Sequence, residues 1–275
     1  MLRTLLILAA LVAPSLSVAQ NASPHQSLKS PEKAQPWHAV GKLDLGNGFC
    51  TGALISPTLV LTAAHCLYDK NTHEIRDPKT IVFKAGYRHG RAVVERRAKR
   101  ARAYSDYDNA AKNSIKTISN DVALVELESP ILHATIVPFQ RMRKPAAHQK
   151  VTVVSYARGR SEIPALEEGC AILSSRGEVI QYTCDIDSGS SGSPVFVYTD
   201  AGPKIASVMS STGTNRSDEK VSLGVALGPR LDQLINALKA SNPTARFMKV
   251  EGGSAVSKPG FKSAKTRTGL PQIKR

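Results

Sequence analysis

The chain has 275 residues, 41% of them hydrophobic and 21% charged, and a formal net charge of +15. That length accommodates one large domain or two small ones with a sizeable core, and the composition excludes wholesale disorder. The charge excess gathers in Arg91–Arg102, with six basic residues against Glu95, and in Val250–Arg275, with six against Glu251. Neither stretch interleaves aromatics with its charges, so they read as a solvated loop and a tail. We expect no specific nucleic-acid partner, at most weak attraction to anionic surfaces, and a monomer.

In chain order, Arg3 followed by the apolar run Thr4–Pro14 and the small residues Ser17-Val18-Ala19 predicts a signal peptide over 1–19, too short to span a bilayer. The expected location is therefore secreted or periplasmic. Residues 20–35 are polar and proline-dotted and predict a flexible lead-in. From Pro36 short apolar runs alternate with turn residues: Gly52–Ile55, Leu59–Ala63, Ile81–Phe83, Val122–Leu127, Val151–Tyr156, Val179–Tyr182, Pro194–Tyr198 and Ile205–Met209. Their Val and Ile content and spacing predict an all-β barrel or sandwich. Residues 103–120 are polar and predict a loop. Leu231, Leu234, Ile235 and Leu238 recur at helical spacing after Pro229, predicting a C-terminal helix over about 230–240. Residues 241–275 lose periodicity and predict a basic disordered tail. No solenoid-period repeat is visible.

Cys50, Cys66, Cys170 and Cys184 form an even set suited to an exported protein. Four cysteines allow three pairings, and spacing favours the local pairs Cys50–Cys66 and Cys170–Cys184. No C-x-x-C pair begins a zinc site, and neither a metal nor an organic cofactor is expected.

Three segments carry chemistry. Ser188-Gly189-Ser190-Ser191-Gly192-Ser193-Pro194 offers a serine among small residues, where consecutive N–H groups can converge on one spot. Read as an α/β-hydrolase elbow it fails: the second glycine is misplaced, and no histidine follows His148. The base must therefore lie upstream. Among seven histidines, His65 follows the apolar run Leu59–Ala63 and adjoins Cys66, whose disulfide would hold the ring still. Asp121 opens the apolar run Val122–Leu127, where a carboxylate is costly unless hydrogen-bonded.

Taken together in the order His, Asp, Ser, four strings resemble the chymotrypsin/trypsin-fold serine proteases: Cys50-Thr51-Gly52-Ala53-Leu54-Ile55-Ser56, Val60-Leu61-Thr62-Ala63-Ala64-His65-Cys66, Asn120-Asp121-Val122-Ala123-Leu124 and Gly189-Ser190-Ser191-Gly192-Ser193-Pro194. The resemblance spans residues 36–240. Pro36-Trp37-His38-Ala39-Val40-Gly41 and Ser191-Gly192-Ser193-Pro194-Val195-Phe196 are more similar to the secreted bacterial, glutamyl-endopeptidase-like branch than to digestive trypsins.

The resemblance implies two antiparallel six-stranded β-barrels, about 36–138 and 139–228, with a triad of His65, Asp121 and Ser191 between them. It implies the Cys50–Cys66 disulfide, an oxyanion hole from the N–H groups of Gly189 and Ser191, and protein or peptide substrates. Ser190 stands where animal trypsin-type enzymes carry an aspartate, and no Ile-Val-Gly-Gly start is present, so activation by a new terminal salt bridge is not expected. Asp185, six residues before Ser191, and Gly224 fall at S1-pocket positions and imply a basic P1 residue. Glutamyl preference is weaker on this reading, because Ala206–Ser211 holds no histidine. The alternatives are a catalytically weak protease-fold binding module that uses its basic loop and tail, and a surface anion binder driven by charge.

Overall fold

The structure is a computed structural model that describes residues 25–111, 114–143, 145–215 and 217–241. The leader expected over 1–19 and nearly all of the tail expected over 241–275 lie outside the described residues. By its contacts the chain divides into units Met1–Leu238 and Lys239–Arg275. Apart from the last helical residues, everything below belongs to the first.

Six strands close the first barrel: β2 (Val40–Asp44), β3 (Phe49–Ser56), β4 (Leu59–Thr62), β5 (Val82–Ala85), β6 (Val94–Ala103) and β7 (Ala123–Leu127), in the order β2-β3-β4-β7-β6-β5. Every pairing is antiparallel. The buried side chains of Leu43, Leu54, Val60, Phe83 and Val125 fill the inside, as period-2 alternation on a closed sheet requires.

Strand β6 corrects the loop expected over Arg91–Arg102. Its inward row is Val94, Arg96 and Ala98, opposite buried Ala85, Phe83 and Leu127. After a bulge the row continues with Ala101 and Ala103, opposite buried Val125 and Ala123. The bulge shifts the period by one, and alanine is too weak a hydrophobic signal to stand out among arginines. The expected loop over 103–120 also holds the short helix α2 (Ile115–Ser119), which Ser114 caps by accepting the Thr117 N–H.

The second sheet contains β8 (Lys150–Ala157), β9 (Arg160–Arg176), β10 (Val179–Tyr182), β11 (Pro194–Thr199), β12 (Gly202–Thr214) and β13 (Lys220–Ala226). A seventh strand, β1 (His25–Ser27), adds to β9, giving the order β1-β9-β10-β13-β12-β11-β8, and β8 also pairs with β9. The expected flexible lead-in over 20–35 is thus ordered from His25: β1 leads to helix α1 (Pro31–Ala34) and a 3-10 turn ending at Trp37. Trp37 packs against Phe196 of β11 and against Phe139, with ring centroids 5.0 and 6.1 Å away. Helix α3 (Gly228–Ala240) buries Leu231, Leu234 and Leu238, the stripe expected from sequence.

Candidate active site

His65 sits in a 3-10 turn, Ala64–Leu67, that leaves the end of β4. Ala63 and Ala64 are fully buried, and Cys66 is joined to Cys50 of β3. The main chain of His65 is therefore fixed from both sides, and a Cβ-only neighbour at each alanine allows the close packing. The second disulfide joins Cys170 to Cys184. Both local pairings favoured by spacing are formed. Among the described residues, the two groupings of metal-capable side chains each contain a bridged cysteine pair, so neither offers free thiolates to a metal.

Asp121 lies between α2 and β7 and is 3% exposed. Its Oδ1 accepts the His65 main-chain N–H at 2.8 Å, and its Oδ2 lies 2.7 Å from His65 Nδ1. Ser210 of β12 donates its hydroxyl to the same Oδ2. Burial by itself would raise the carboxyl pKa, but the imidazole charge and these donated hydrogen bonds outweigh it and hold the pKa below its ordinary value. On His65, burial works downward, while the Asp121 carboxylate and its hydrogen bond work upward and prevail, so the ring pKa is raised. With Nδ1–H given to Asp121, Nε2 is left as the accepting nitrogen of the neutral ring.

The segment carrying Ser191 is shaped by two left-handed glycines. Gly189 has φ +98°, and a Cβ there would lie 2.4 Å from the Phe49 ring. Gly192 has φ +79°, and a Cβ there would lie 2.2 Å from Thr62 Oγ1 and 2.3 Å from the Thr51 carbonyl. Buried Thr51 holds the segment to the first barrel: its N–H donates to the Ser191 carbonyl at 2.9 Å and its hydroxyl donates to the Gly189 carbonyl at 3.0 Å. The Gly192 N–H donates to the Met209 carbonyl at 2.8 Å.

Three cavities adjoin here. One of about 360 Å³ is lined by His65, Cys50, Ser188 and Gly189. A second, about 260 Å³, is lined by His65, Tyr107, Asp121, Ser210 and Ser211. The third, about 330 Å³, is lined by Ser191, Ser188, Asp187, Ser210, Thr212 and Lys220. Shared walls at Ser188, Ser210 and Ser211 bring the Ser191 segment and His65 to one cleft. A larger cavity of about 700 Å³ lies at Ile115, Val179, Gln181 and Leu223; its lining has no histidine or cysteine and no base beside its serines.

The two S1 candidates fall elsewhere. Asp185 is exposed and lines none of these cavities; its carboxylate accepts Lys220 Nζ at 2.6 Å. Its N–H donates to the Glu167 carboxylate at 2.9 and 3.1 Å. Gly224 is buried inside the sheet on β13, opposite Ile180 and Met209. The charged residues that do line the Ser191 cavity are Lys220 and Asp187. Neither Lys220 nor Ser210 was legible as a site residue. Ser210 lies in the Ala206–Ser211 wall, but nothing local marks it as a partner for a carboxylate 89 residues away.

Residues 50–201 match the family described as the trypsin-like peptidase domain. The chain is 26% identical over 164 residues to a glutamyl endopeptidase of Bacillus licheniformis, covering 59% of this chain and 50% of that protein. It is 31% identical over 134 residues to the human mannan-binding lectin serine protease 1, covering 44% of this chain and 18% of that protein. The chain thus spans half or less of the length of these curated relatives. Among solved structures, a Glu endopeptidase in complex with MPD superposes with TM-score 0.64 at 19% identity, covering 78% of this chain and 97% of that one. A thermostable serine protease from an extremophilic microorganism superposes with TM-score 0.60 at 19% identity, covering 76% and 100%. At such identities the structural likeness speaks to the fold alone.

Proposed function

This chain belongs to the trypsin-like peptidase family, and from that premise we propose that it is an exported serine endopeptidase working through Ser191, His65 and Asp121. The observation that carries the reading is the carboxylate–imidazole pair at 2.7 Å, its carboxylate buried and its imidazole opening on a cleft that the Ser191 segment also lines. In this reading His65 Nε2 takes the proton of Ser191 as its oxygen attacks the substrate carbonyl. The imidazolium that forms is stabilised by Asp121 and returns the proton to the leaving amine, after which water cleaves the acyl-enzyme with His65 again as base. The N–H groups of Gly189 and Ser191 would receive the oxyanion. We also read the second sheet, in which β8 pairs with both β11 and β9, as the second barrel of the fold. Export is supported by two disulfides, which persist in oxidising compartments.

The P1 preference that the geometry supports is acidic, not basic. The Asp185 carboxylate is occupied by Lys220 and lies off the cavity beside Ser191. The Ser210 hydroxyl on its wall is committed to Asp121, and the cavity instead presents Lys220, whose ammonium also meets Asp185, with Ser188, Ser211 and Thr212. These groups can donate to a carboxylate, whereas an arginine would meet a like charge. Asp187 shares the cavity and tempers the preference. The glutamyl endopeptidase among the relatives points the same way.

The deciding experiment is an assay of the protein and its Ser191→Ala variant on peptides differing only in P1: Glu, Asp, Arg, Lys or Phe. The triad reading requires that Ser191→Ala abolish all hydrolysis. The acidic-P1 reading requires Glu or Asp to exceed Arg and Lys, and the reverse order rejects it while leaving the triad standing.

A further inference from the structure

The residue before the nucleophile, Ser190, is fully buried. Its hydroxyl lies 3.4 Å from Ser155 Oγ and 3.4 Å from the Asp187 N–H, and its own N–H donates to the Asp187 carbonyl at 2.9 Å. Beneath it lies a part-buried guanidinium. Arg160, the first residue of β9, donates through Nη1 to the Ser155 carbonyl at 2.6 Å and through Nη2 to Ser155 Oγ at 2.9 Å. Nη2 also lies 3.5 Å from Ser190 Oγ. The carboxylates that act on this cation are Asp187, Glu167 and Asp185; two belong to the segment leading to Ser191, and the third binds its main chain.

The same β8–β9 hairpin reaches the oxyanion segment by a second route. The Arg158 N–H donates to the Ser188 carbonyl at 2.7 Å. The peptide between Ser188 and Gly189 is trans, so its C=O and N–H point in opposite directions. With the carbonyl turned to the Arg158 N–H, the Gly189 N–H is directed away from that donor, and Gly189 itself lines a cavity together with His65. The orientation of that one peptide decides whether an oxyanion donor exists.

We propose that Arg160 is the positioning residue of this segment: by locking Ser155 and Ser190 it holds the β8–β9 turn and the Asp187–Ser191 main chain in the register that presents the Gly189 N–H to the substrate. The inference rests on Ser191 being the nucleophile. It assigns to a side chain already inside the fold the task of setting the oxyanion hole. A guanidinium suits the task because its planar fork reaches a carbonyl and two hydroxyls at once, while its charge is matched by carboxylates on the segment it supports.

The test uses the whole protein with Arg160→Gln and Arg160→Lys. Removing an oxyanion donor costs on the order of 10²-fold or more in kcat, so weakened positioning should lower kcat by at least about tenfold for Arg160→Gln, with KM within about twofold. The rate of fluorophosphonate labelling and the affinity for a peptide boronate should fall in parallel, because both place an oxygen in the hole. Affinity for a product peptide should stay level, and Arg160→Lys should recover part of the loss. A folded Arg160→Gln protein with unchanged kcat and labelling overturns the proposal. So does a joint fall of kcat, product affinity and Tm that lysine does not relieve, which would mark a purely structural arginine. If Arg160→Gln does not fold, Ser190→Ala removes the contact from the loop side; loss of boronate affinity with product affinity unchanged supports the proposal, and unchanged boronate affinity overturns it. Intact-mass mapping of the wild-type adduct separates the two layers: an adduct away from Ser191 rejects the nucleophile reading itself.

Discussion

Ser210 of the second sheet donates its hydroxyl to the Oδ2 of Asp121, the same oxygen that faces the His65 ring from the first barrel. One carboxylate oxygen thereby ties together side chains from both sheets. With Oδ1 taking the His65 N–H, the carboxylate is oriented by three donors, and its negative charge is held where an imidazolium would form.

Asp121→Asn should leave the fold intact and lower kcat by about 10⁴-fold, since an amide cannot favour the required tautomer or stabilise the imidazolium. Ser210→Ala removes one hydrogen bond to a charged acceptor, worth about 1.5 kcal/mol, and should lower kcat by roughly tenfold. Steady-state kinetics on one peptide substrate checks both. A Ser210→Ala enzyme as active as wild type would show that His65 alone orients the carboxylate.

The raised His65 pKa places the acid limb of kcat/KM above 6.5, the ring's ordinary value, because the base must be neutral to act. The linkage to stability has two opposite limbs. Asp121, with its pKa held below 3.8, contributes stability that is present above pH 3.8 and lost as pH falls through its lowered folded value. His65 contributes stability that is present below pH 6.5 and lost as pH rises through its raised folded value. The Tm advantage of wild type over Asp121→Asn should therefore peak between about pH 4 and 6.5. Thermal melts from pH 3 to 9 test this, and an advantage that grows toward pH 9 would contradict it.

Lys220→Gln should lower kcat/KM for Glu at P1 by about 10- to 100-fold, the scale of a lost charge-assisted hydrogen bond. The same change removes the like charge that an arginine would meet and should raise cleavage after Arg. Paired Glu and Arg substrates read the switch directly. Equal losses for both would assign Lys220 to loop stability alone.

Gly192→Ala puts a methyl 2.3 Å from the Thr51 carbonyl at a left-handed φ of +79°. Backbone cannot yield as a flexible side chain does, so the change should destabilise the fold by at least about 2 kcal/mol, lowering Tm by roughly 4–8 °C for a chain of this size. Differential scanning calorimetry provides the measurement, and an unchanged Tm would mean that the segment relaxes freely.

Much of this arrangement is legible in the sequence, and unevenly so. The strings around His65, Asp121 and Ser191 are dense with marked residue types: an alanine pair before a histidine–cysteine step, an acid at the mouth of an apolar strand, glycines around a serine. Strands with strong Val and Ile runs, such as β8 and β11, were visible for the same reason. Strand β6 was not, because its inward row is mostly alanine and a bulge breaks its period. Strand β1 was hidden because three residues, His25–Ser27, carry no pattern and gain their regularity only by pairing with β9. The S1 expectation illustrates a different limit. Counting back from Ser191 reaches Asp185, but not the ammonium that occupies its carboxylate, since Lys220 arrives from β13, 35 residues later.

By itself, then, the sequence determined which residue types stand ready and in what order: a histidine pinned by a cysteine, an acid at a strand mouth, a serine between glycines, and cysteines spaced for local bridges. These are properties of short segments, set by sterics and local hydrogen bonding within a few residues. Tertiary structure alone decided who partners whom across the cleft: Ser210 on Asp121, Lys220 on Asp185, Arg160 beneath Ser190. Those contacts depend on strand register and on the direction each side chain takes from its sheet, and a charge or hydroxyl has no preferred partner until closure of the first barrel and pairing of the second sheet bring one within hydrogen-bond reach.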